Sequence, residues 1–250
     1  MRNLKLTLAY DGTEFCGWQV QPEAPSIQGT LASAIGRITG ENVLPQGSGR
    51  TDAGVHALAQ VATFQTESVI PCANFVIALN DVLPPSIRVL EVTEVPEDFH
   101  ARKSATAKTY RYRIYRQAIC PPFLARYVWH YPYPLDAAAI QQTAPWIEGE
   151  HDFTSFAAVD PEKNTQAQHS SNVRTLFSSR WQQHDHELVY EVRGTGFLHH
   201  MVRNLVGTFV LVGKGTLTPQ DVVTILKARD RSAAGATAPA CGLYLVNVEY

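Results

Sequence analysis

The stretch TYRYRIYR, residues 109–116, alternates between two kinds of side chain. Tyr110, Tyr112 and Ile114 fall on one face, and two arginines are among the residues on the other. A period of two residues is typical of a strand with one buried face, and such strands belong to antiparallel or mixed sheets. Residues 4–10 repeat the pattern with leucine on the buried face. Together they predict amphipathic sheets rather than a doubly wound parallel core.

Strand-like and helix-like segments alternate on both sides of this stretch. The order before it is β-α-β-α-β, with strands at 4–10, 60–64 and 87–95 and helices between Ser26 and Gly40 and at 73–83. After it come a helix from Asp136 to 147, strands at 173–181 and 188–193, an apolar helix at 197–212, a helix opened by Thr218 and Pro219, and a strand at 243–248. We predict an α/β (α+β) fold of two halves, residues 1–104 and 105–250, with a flexible insertion at 158–171.

Composition and local hydropathy place the chain among ordinary globular proteins, with 250 residues, of which 45% are hydrophobic. The first residues lack the apolar run of a secretory signal, and the longest apolar stretch, 205–213, is too short to span a bilayer. The four cysteines are too scattered for a disulfide framework or a structural zinc site. We expect a cytoplasmic protein with no membrane partner.

Charge is unevenly distributed, although the net charge is only −2. Residues 99–135 contain seven lysines and arginines and no acidic residue, and residues 192–220 form a second stretch without acids. Solvated faces explain some of this pattern. The concentration of arginine nevertheless favours an anionic partner, because its planar guanidinium binds phosphate through two hydrogen bonds.

The most unusual segment is GSGRTDAGVHA, residues 47–57. Three glycines within eight residues let the backbone turn tightly and approach a ligand. The segment lacks the Gly-Lys-Ser/Thr of a P-loop, and Asp52 and His56 have no third ligand that would indicate a metal site. Taken alone, it is compatible with a hairpin turn, a phosphate-binding loop or a catalytic loop.

This segment resembles the catalytic motif of the TruA-type tRNA pseudouridine synthases. Other blocks similar to that family follow in the same order along nearly the whole chain, among them 6–18 (LTLAYDGTEFCGW), 26–29, 98–102, 109–112 and 197–207 (FLHHMVRNLVG). The resemblance implies two ferredoxin-like or RRM-like halves whose sheets join into one extended sheet around a central cleft.

The resemblance also implies an isomerase that converts uridine to pseudouridine at positions 38, 39 and 40 in the anticodon stem-loop of tRNA. It further implies a homodimer that holds one tRNA. The reaction breaks the N1–C1′ bond and joins C5 to C1′. Neither the redox state nor the atom count changes, so we expect no cofactor and no metal.

Three residues match the catalytic residues of the family. Asp52 corresponds to the nucleophile, which attacks either C1′ or C6 of the base. Arg203 corresponds to the arginine that keeps this carboxylate ionised in a dry pocket, and Tyr110 to the tyrosine that stacks on the extruded base. Without the resemblance, the same residues fit a turn-forming aspartate, an arginine on an exposed helix face and a core aromatic.

Further residues are expected to bind RNA. Arg50 resembles the arginine that displaces the target base and holds its phosphate, although a surface arginine fits equally. Extruding the base costs a few kcal/mol, which contacts to the RNA backbone must offset. The residues expected to supply those contacts are Arg102, Lys103, Lys108, Arg111 and Arg113, with His199 and His200 contacting RNA or lining the cleft rather than binding metal.

Two other classes of function remain open. An RNA-binding module or tRNA chaperone would share the fold but perform no chemistry, and it would have no use for a carboxylate aimed at an anionic ligand. A carboxylate-dependent glycoside hydrolase also acts at C1′, but it needs a second catalytic carboxylate, which the motif does not offer.

Overall fold

The computed structural model describes residues 1–159 and 171–250, which form two compact units. The first unit comprises Met1–Lys108 and Tyr244–Tyr250, and the second comprises Thr109–Leu243. The end of the chain thus packs with its beginning. Most of the insertion predicted at 158–171 lies outside the described residues.

The strands and helices follow the alternating order that the sequence predicts. The strands are β1 (Arg2–Tyr10), β2 (Gln46–Gly47), β3 (His56–Thr66), β4 (Ile87–Val95), β5 (Ala107–Tyr115), β6 (Trp129–His130), β7 (Gly149–Asp152), β8 (Val173–His184), β9 (Glu187–Gly194) and β10 (Leu243–Glu249). The α-helices are α1 (Ile27–Thr39), α2 (Cys72–Val82), α3 (Ala137–Thr143), α4 (Met201–Gly213) and α5 (Pro219–Ala228).

In the first unit the strand order is β4-β1-β3-β10, with β2 also paired to β3. The pairs of β1 with β3 and β4, and of β2 with β3, are antiparallel, whereas β10 runs parallel to β3. Leu4, Leu6 and Leu8 of β1 are fully buried, as the alternating pattern predicts. Helix α2 lies against β4 and contributes the buried Phe75.

Capping residues set the limits of the first helix. The side chain of Ser26 accepts a hydrogen bond from the backbone N–H of Gly29, and Gly40 ends the helix in the left-handed conformation with φ of 78°. The ends inferred from the sequence are therefore confirmed for α1.

In the second unit the strand order is β5-β9-β8-β7, with β6 parallel to β5. Strand β8 pairs antiparallel with both β7 and β9. Tyr190 and Phe209 are fully buried with ring centroids 5.5 Å apart, and Tyr112 is fully buried as well. Thr218 and Asp221 form a capping box at the start of α5, where Pro219 takes the first helical position.

The apolar helix predicted at 197–212 is shorter at its start than the sequence suggests. Helix α4 begins at Met201, because His200 adopts the left-handed conformation with φ of 58° and interrupts the helical backbone. Residues 197–200 precede the helix as an irregular segment. Similarly, the helix predicted after Asp136 continues beyond α3 only as a 3-10 turn, Ala144–Ile147, which contains Pro145.

Both units combine helices with mostly antiparallel strands, and the predicted α/β (α+β) class is confirmed. Within residues 1–159 and 171–250, no helix has the length and hydropathy needed to cross a membrane.

Candidate active site

The motif at residues 47–57 forms the loop between β2 and β3. The N–H of Ser48 donates to the carbonyl of Val61 over 2.8 Å, which continues the antiparallel pairing into the start of the loop. The N–H of Val55 donates to the carbonyl of Asp52 over 3.1 Å and closes a turn, in which Gly54 has a φ of 76°. A residue with a side chain would be strained at Gly54.

A buried polar network supports this loop from below. The hydroxyl of Ser48 donates to the side-chain oxygen of Gln60 over 2.7 Å, and the amide of Gln60 donates to the carbonyl of Gly49 over 2.9 Å. The hydroxyls of Tyr10 and Thr51 lie 2.9 Å apart. Burial raises the pKa of Tyr10 to about 12, although its hydrogen bonds to Thr51 and Gln60 act in the opposite direction. Because these groups satisfy one another, the loop has a fixed conformation.

The segment after β1 lies behind the loop. The N–H of Trp18 donates to the carbonyl of Thr51 over 3.0 Å, and the N–H of Gly54 donates to the carbonyl of Phe15 over 3.3 Å. Gly17 has a φ of 100°, and a Cβ there would lie 2.5 Å from the carbonyl oxygen of Thr51. This close approach of two backbones brings the block 6–18 directly against the motif.

Asp52 and Arg50 flank the buried Thr51 in this loop. Asp52 is half-buried and directly follows the buried Thr51, whereas Arg50 is exposed. The support beneath Thr51 therefore positions the backbone from which the Asp52 carboxylate projects.

His56 ends the loop and begins β3 in a buried position. Its Nδ1 accepts a hydrogen bond from the N–H of Gly12 over 3.1 Å and lies 3.2 Å from a carboxylate oxygen of Asp11. A nitrogen that accepts the Gly12 proton cannot at the same time donate to Asp11. The His56 ring stacks on Tyr244 with centroids 4.9 Å apart. His56 thus joins the loop to β10 and to the end of β1.

Two of the predicted RNA-binding residues lie near the same loop. The ammonium of Lys108 donates a hydrogen bond to the carbonyl of Ser48. Burial lowers the pKa of Lys108 to about 8, and the charge of Arg102 lowers it further. The side chain of Arg102 is exposed.

In the second unit, Tyr110 lies on β5 with 8% of its surface exposed. Its ring packs edge-on against Phe197, with centroids 4.9 Å apart and an interplanar angle of 75°. Phe197 belongs to the irregular segment before α4. Tyr112, two residues along the same strand face, is a core residue whose hydroxyl donates to the carbonyl of Pro239 over 2.7 Å.

Arg203 lies in the first turn of α4 and is half-buried. Its Nε donates to the carbonyl of Ala238 over 2.7 Å, and its own carbonyl accepts from the N–H of Ala238 over 3.1 Å. Burial raises the pKa of both Tyr112 and Cys241, while the Arg203 charge lowers it at both groups. The guanidinium is therefore held in place by the segment that precedes β10.

The two histidines lie directly before α4, with ring centroids 4.0 Å apart. The Nδ1 of His199 is 3.1 Å from the carbonyl oxygen of Val159. Arg111, on the face of β5 opposite Tyr110, forms an exposed ion pair of 3.0 Å with Glu191. Arg111 therefore already has a carboxylate partner that an RNA phosphate would have to replace.

The predicted site residues thus fall into two groups. The first unit holds Arg50, Asp52, Arg102 and Lys108, and the second holds Tyr110, Arg111, His199, His200 and Arg203. The first group offers a carboxylate on a fixed loop with cations nearby. The second offers an aromatic ring on a strand and a guanidinium at the start of a helix.

Comparison with known proteins identifies the family. A family model described as tRNA pseudouridine synthase matches residues 7–102 and 144–250. The chain is 52% identical over 250 residues to the tRNA pseudouridine synthase A of Solibacter usitatus, with both chains covered completely. It is 47% identical to the protein of the same name from Moorella thermoacetica, with 99% of each chain covered, and 44% identical to that of Brevibacillus brevis, again over the full lengths. The chain belongs to the tRNA pseudouridine synthase family.

The identification of a tRNA pseudouridine synthase, an isomerase, from its sequence motifs is thereby confirmed. The two matched ranges contain Asp52 and Arg203, two of the three residues that the sequence predicts to be catalytic. Tyr110 lies in residues 103–143, which the family model does not match but the full-length relatives cover.

Several residues that support the synthase loop were not singled out from the sequence. In the sequence, Tyr10 is simply one member of the alternating pattern on the buried face of a strand. Gln60 and Ser48 are polar residues without exposed surface. The one signal in the sequence is that Gln60 stands between apolar neighbours, Ala59 and Val61, since buried polar side chains require partners.

Proposed function

We propose that this synthase isomerises uridine to pseudouridine at positions 38, 39 and 40 of the tRNA anticodon stem-loop, with Asp52 as the nucleophile. The observation that carries the proposal is the family motif GSGRTDAGVHA on a loop whose backbone is fixed from below by Tyr10 and Gln60. A nucleophile gains most from such support, because a displacement of about 1 Å can reduce a rate a hundredfold.

The reaction assigns a definite task to each atom. The Asp52 carboxylate attacks C1′ and displaces N1 of uracil, or it adds to C6 of the ring and loosens the N1–C1′ bond. The base then turns, C5 bonds to C1′, the proton on C5 leaves and N1 gains a proton. The carboxylate is released unchanged, so the cycle consumes no oxidant, reductant or cofactor.

Tyr110 and Arg203 are proposed to act on the same base and carboxylate. The edge-on contact with Phe197 fixes the Tyr110 ring, which suits a ring that stacks on an extruded base. The hydrogen bond from Nε to Ala238 fixes the plane of the Arg203 guanidinium, which suits an arginine that keeps the Asp52 carboxylate ionised.

Arg50, Arg102, Arg111, His199 and His200 are proposed to bind the RNA around the target base. Arg50 and Arg102 are exposed, as contact with phosphate requires. Lys108, which the sequence places in the same set, donates from its ammonium to the carbonyl of Ser48, and its contact with RNA stays a prediction. We further propose a cytoplasmic homodimer that holds one tRNA, which sedimentation of the protein with and without tRNA would test.

Release of tritium from tRNA labelled at C5 of uridine tests the nucleophile. Wild type should release tritium, and Asp52→Asn and Asp52→Ala should release none above background. Asp81→Asn, a change at an exposed aspartate on α2, is the matched control and should behave as wild type. Full turnover by either Asp52 variant would exclude the assignment.

Substrates in which cytidine replaces uridine at 38, 39 or 40 test the positions. Tritium release should fall with each replacement and disappear when all three are made. A wild type that binds tRNA but forms no pseudouridine would favour the RNA-binding module instead.

A further inference from the structure

Lys108 lies in the basic stretch that the sequence assigns to RNA binding, but its side chain points to the protein's own loop. It is half-buried, and its ammonium donates to the carbonyl of Ser48. Ser48 opens the loop that carries Arg50 and Asp52. Lys108 is therefore placed to act on the loop rather than on a phosphate in solution.

All three polar groups of Ser48 are hydrogen-bonded. Its N–H donates to Val61 and its hydroxyl to Gln60, both on β3, while its carbonyl accepts from Lys108 on β5. The bond from Lys108 is the charged one of the three. Hydrogen bonds with an ionised donor are about twice as strong as those between neutral groups.

The adjacent glycine shows how closely the ammonium is fitted. A Cβ at Gly49 would lie 3.1 Å from the Nζ of Lys108. A side chain at Gly49 would therefore crowd the ammonium and shift it by a few tenths of an ångström, so the lysine lies directly against the Ser48–Gly49 turn.

The positive charge is unfavourable at this position. Burial, and then the charge of Arg102, lower the pKa of Lys108 to about 8. An uncharged side chain of similar length would fill the same space without the loss of hydration that a buried ammonium suffers. Groups that reduce stability in this way are concentrated at functional sites.

We propose that Lys108 is a positioning residue of the active site. Its ammonium fixes the Ser48–Gly49 turn, and through that turn it fixes Asp52, without contacting tRNA. This inference rests on the proposed function, because the position of Asp52 matters only if Asp52 is the nucleophile.

The test compares Lys108→Met and Lys108→Arg with Lys227→Met, a matched change at an exposed lysine on α5. For Lys108→Met we expect kcat to fall at least tenfold, while the Kd for tRNA and its dependence on salt stay as in wild type. Lys108→Arg keeps the charge and should recover part of kcat. Lys227→Met should leave all three quantities unchanged.

Two results would overturn the proposal. One is a normal kcat in Lys108→Met. The other is a loss confined to Kd, with the slope of log K against log salt reduced by about 0.7 to 0.9, as expected when one phosphate contact is removed.

Amide hydrogen exchange at residues 48–54 gives a measurement that does not depend on turnover. Exchange should be faster in Lys108→Met than in wild type and Lys227→Met. Equal rates in all three proteins would show that Lys108 does not fix the loop. If wild type forms no pseudouridine, or Asp52→Asn remains active, the proposed function fails, and the exchange rates still report on Lys108.

Discussion

The hydroxyl oxygens of Tyr10 and Thr51 lie 2.9 Å apart in a buried position. Thr51 directly precedes Asp52 in the chain. Tyr10 ends β1, and Thr51 belongs to the loop before β3. A strand of the core is thereby bonded directly to the backbone segment that presents the carboxylate. Changes at Tyr10 should therefore reach Asp52 without altering any group that touches the substrate.

Tyr10→Phe removes the hydroxyl and leaves the ring. The free energy of unfolding should fall by about 1–2 kcal/mol, because Thr51 and Gln60 lose a buried partner. The kcat should fall while the Kd for tRNA stays unchanged, as urea unfolding and tritium release would show. Tyr133→Phe, at a ring that is 65% exposed, is the control. Unchanged stability and kcat in Tyr10→Phe would mean that the hydrogen bond does not hold the loop.

Gly17→Ala should displace the loop from the opposite side. The new Cβ would lie 2.5 Å from the carbonyl of Thr51, in a backbone conformation with φ of 100°. We expect the variant to lose about 3 kcal/mol or more and to be nearly inactive. Gly215→Ala also places alanine at positive φ, but in open space, and should cost only about 1 kcal/mol. Equal costs for the two variants would contradict the close approach.

Lys108 should make stability depend on pH in a specific direction. Its pKa is about 8 in the folded protein, below the ordinary 10.5, so the unfolded chain binds more protons between these two values. The free energy of unfolding should therefore rise with pH across this window. Below pH 8, the buried charge of Lys108 should destabilise the folded protein to its full extent. Relative to Lys108→Met, the free energy of unfolding of wild type should increase by about 3 kcal/mol from pH 7 to pH 10.5. A constant difference between the two proteins would show that burial does not shift this group.

Asn204→Ala should destabilise the second unit. The fully buried side chain donates to the carbonyl of Phe156 over 2.8 Å and accepts from Arg231 and Thr237. Its removal leaves these groups without a partner, and we expect a loss of about 3 kcal/mol in urea unfolding. Asn42→Ala, at an exposed position, should change stability by less than about 0.5 kcal/mol. A similar small change for Asn204 would mean that water replaces the lost side chain.

Local patterns in the sequence predict individual elements well. The bounds of β4 agree with the prediction of 87–95, and the caps of α1 and α5 are where Ser26 and Thr218 indicate. These features depend on residues close together in the chain, for which periodicity and capping give direct signals.

Features that depend on distant residues could not be predicted in the same way. The pairing of β10 with β3 joins residues 244–245 to residues 56–57, and nothing in either segment specifies the other. Lys108 lies in a basic stretch whose composition predicts a surface position. Its contact with Ser48 depends on the folded loop, which the stretch itself does not reveal. At the site, the motif predicted the family, but the support of the loop by Tyr10 and Gln60 appears only in three dimensions.

The parallel pairing of β10 with β3 has a consequence for protein synthesis. Tyr244 lies opposite His56 and stacks on its ring, so the strand that follows the Asp52 loop gains this neighbour only after residues 243–249 have been translated. The nascent chain therefore emerges from the ribosome with the Asp52 loop complete in sequence but exposed along one edge. We therefore expect activity only in chains whose synthesis has passed residues 243–249.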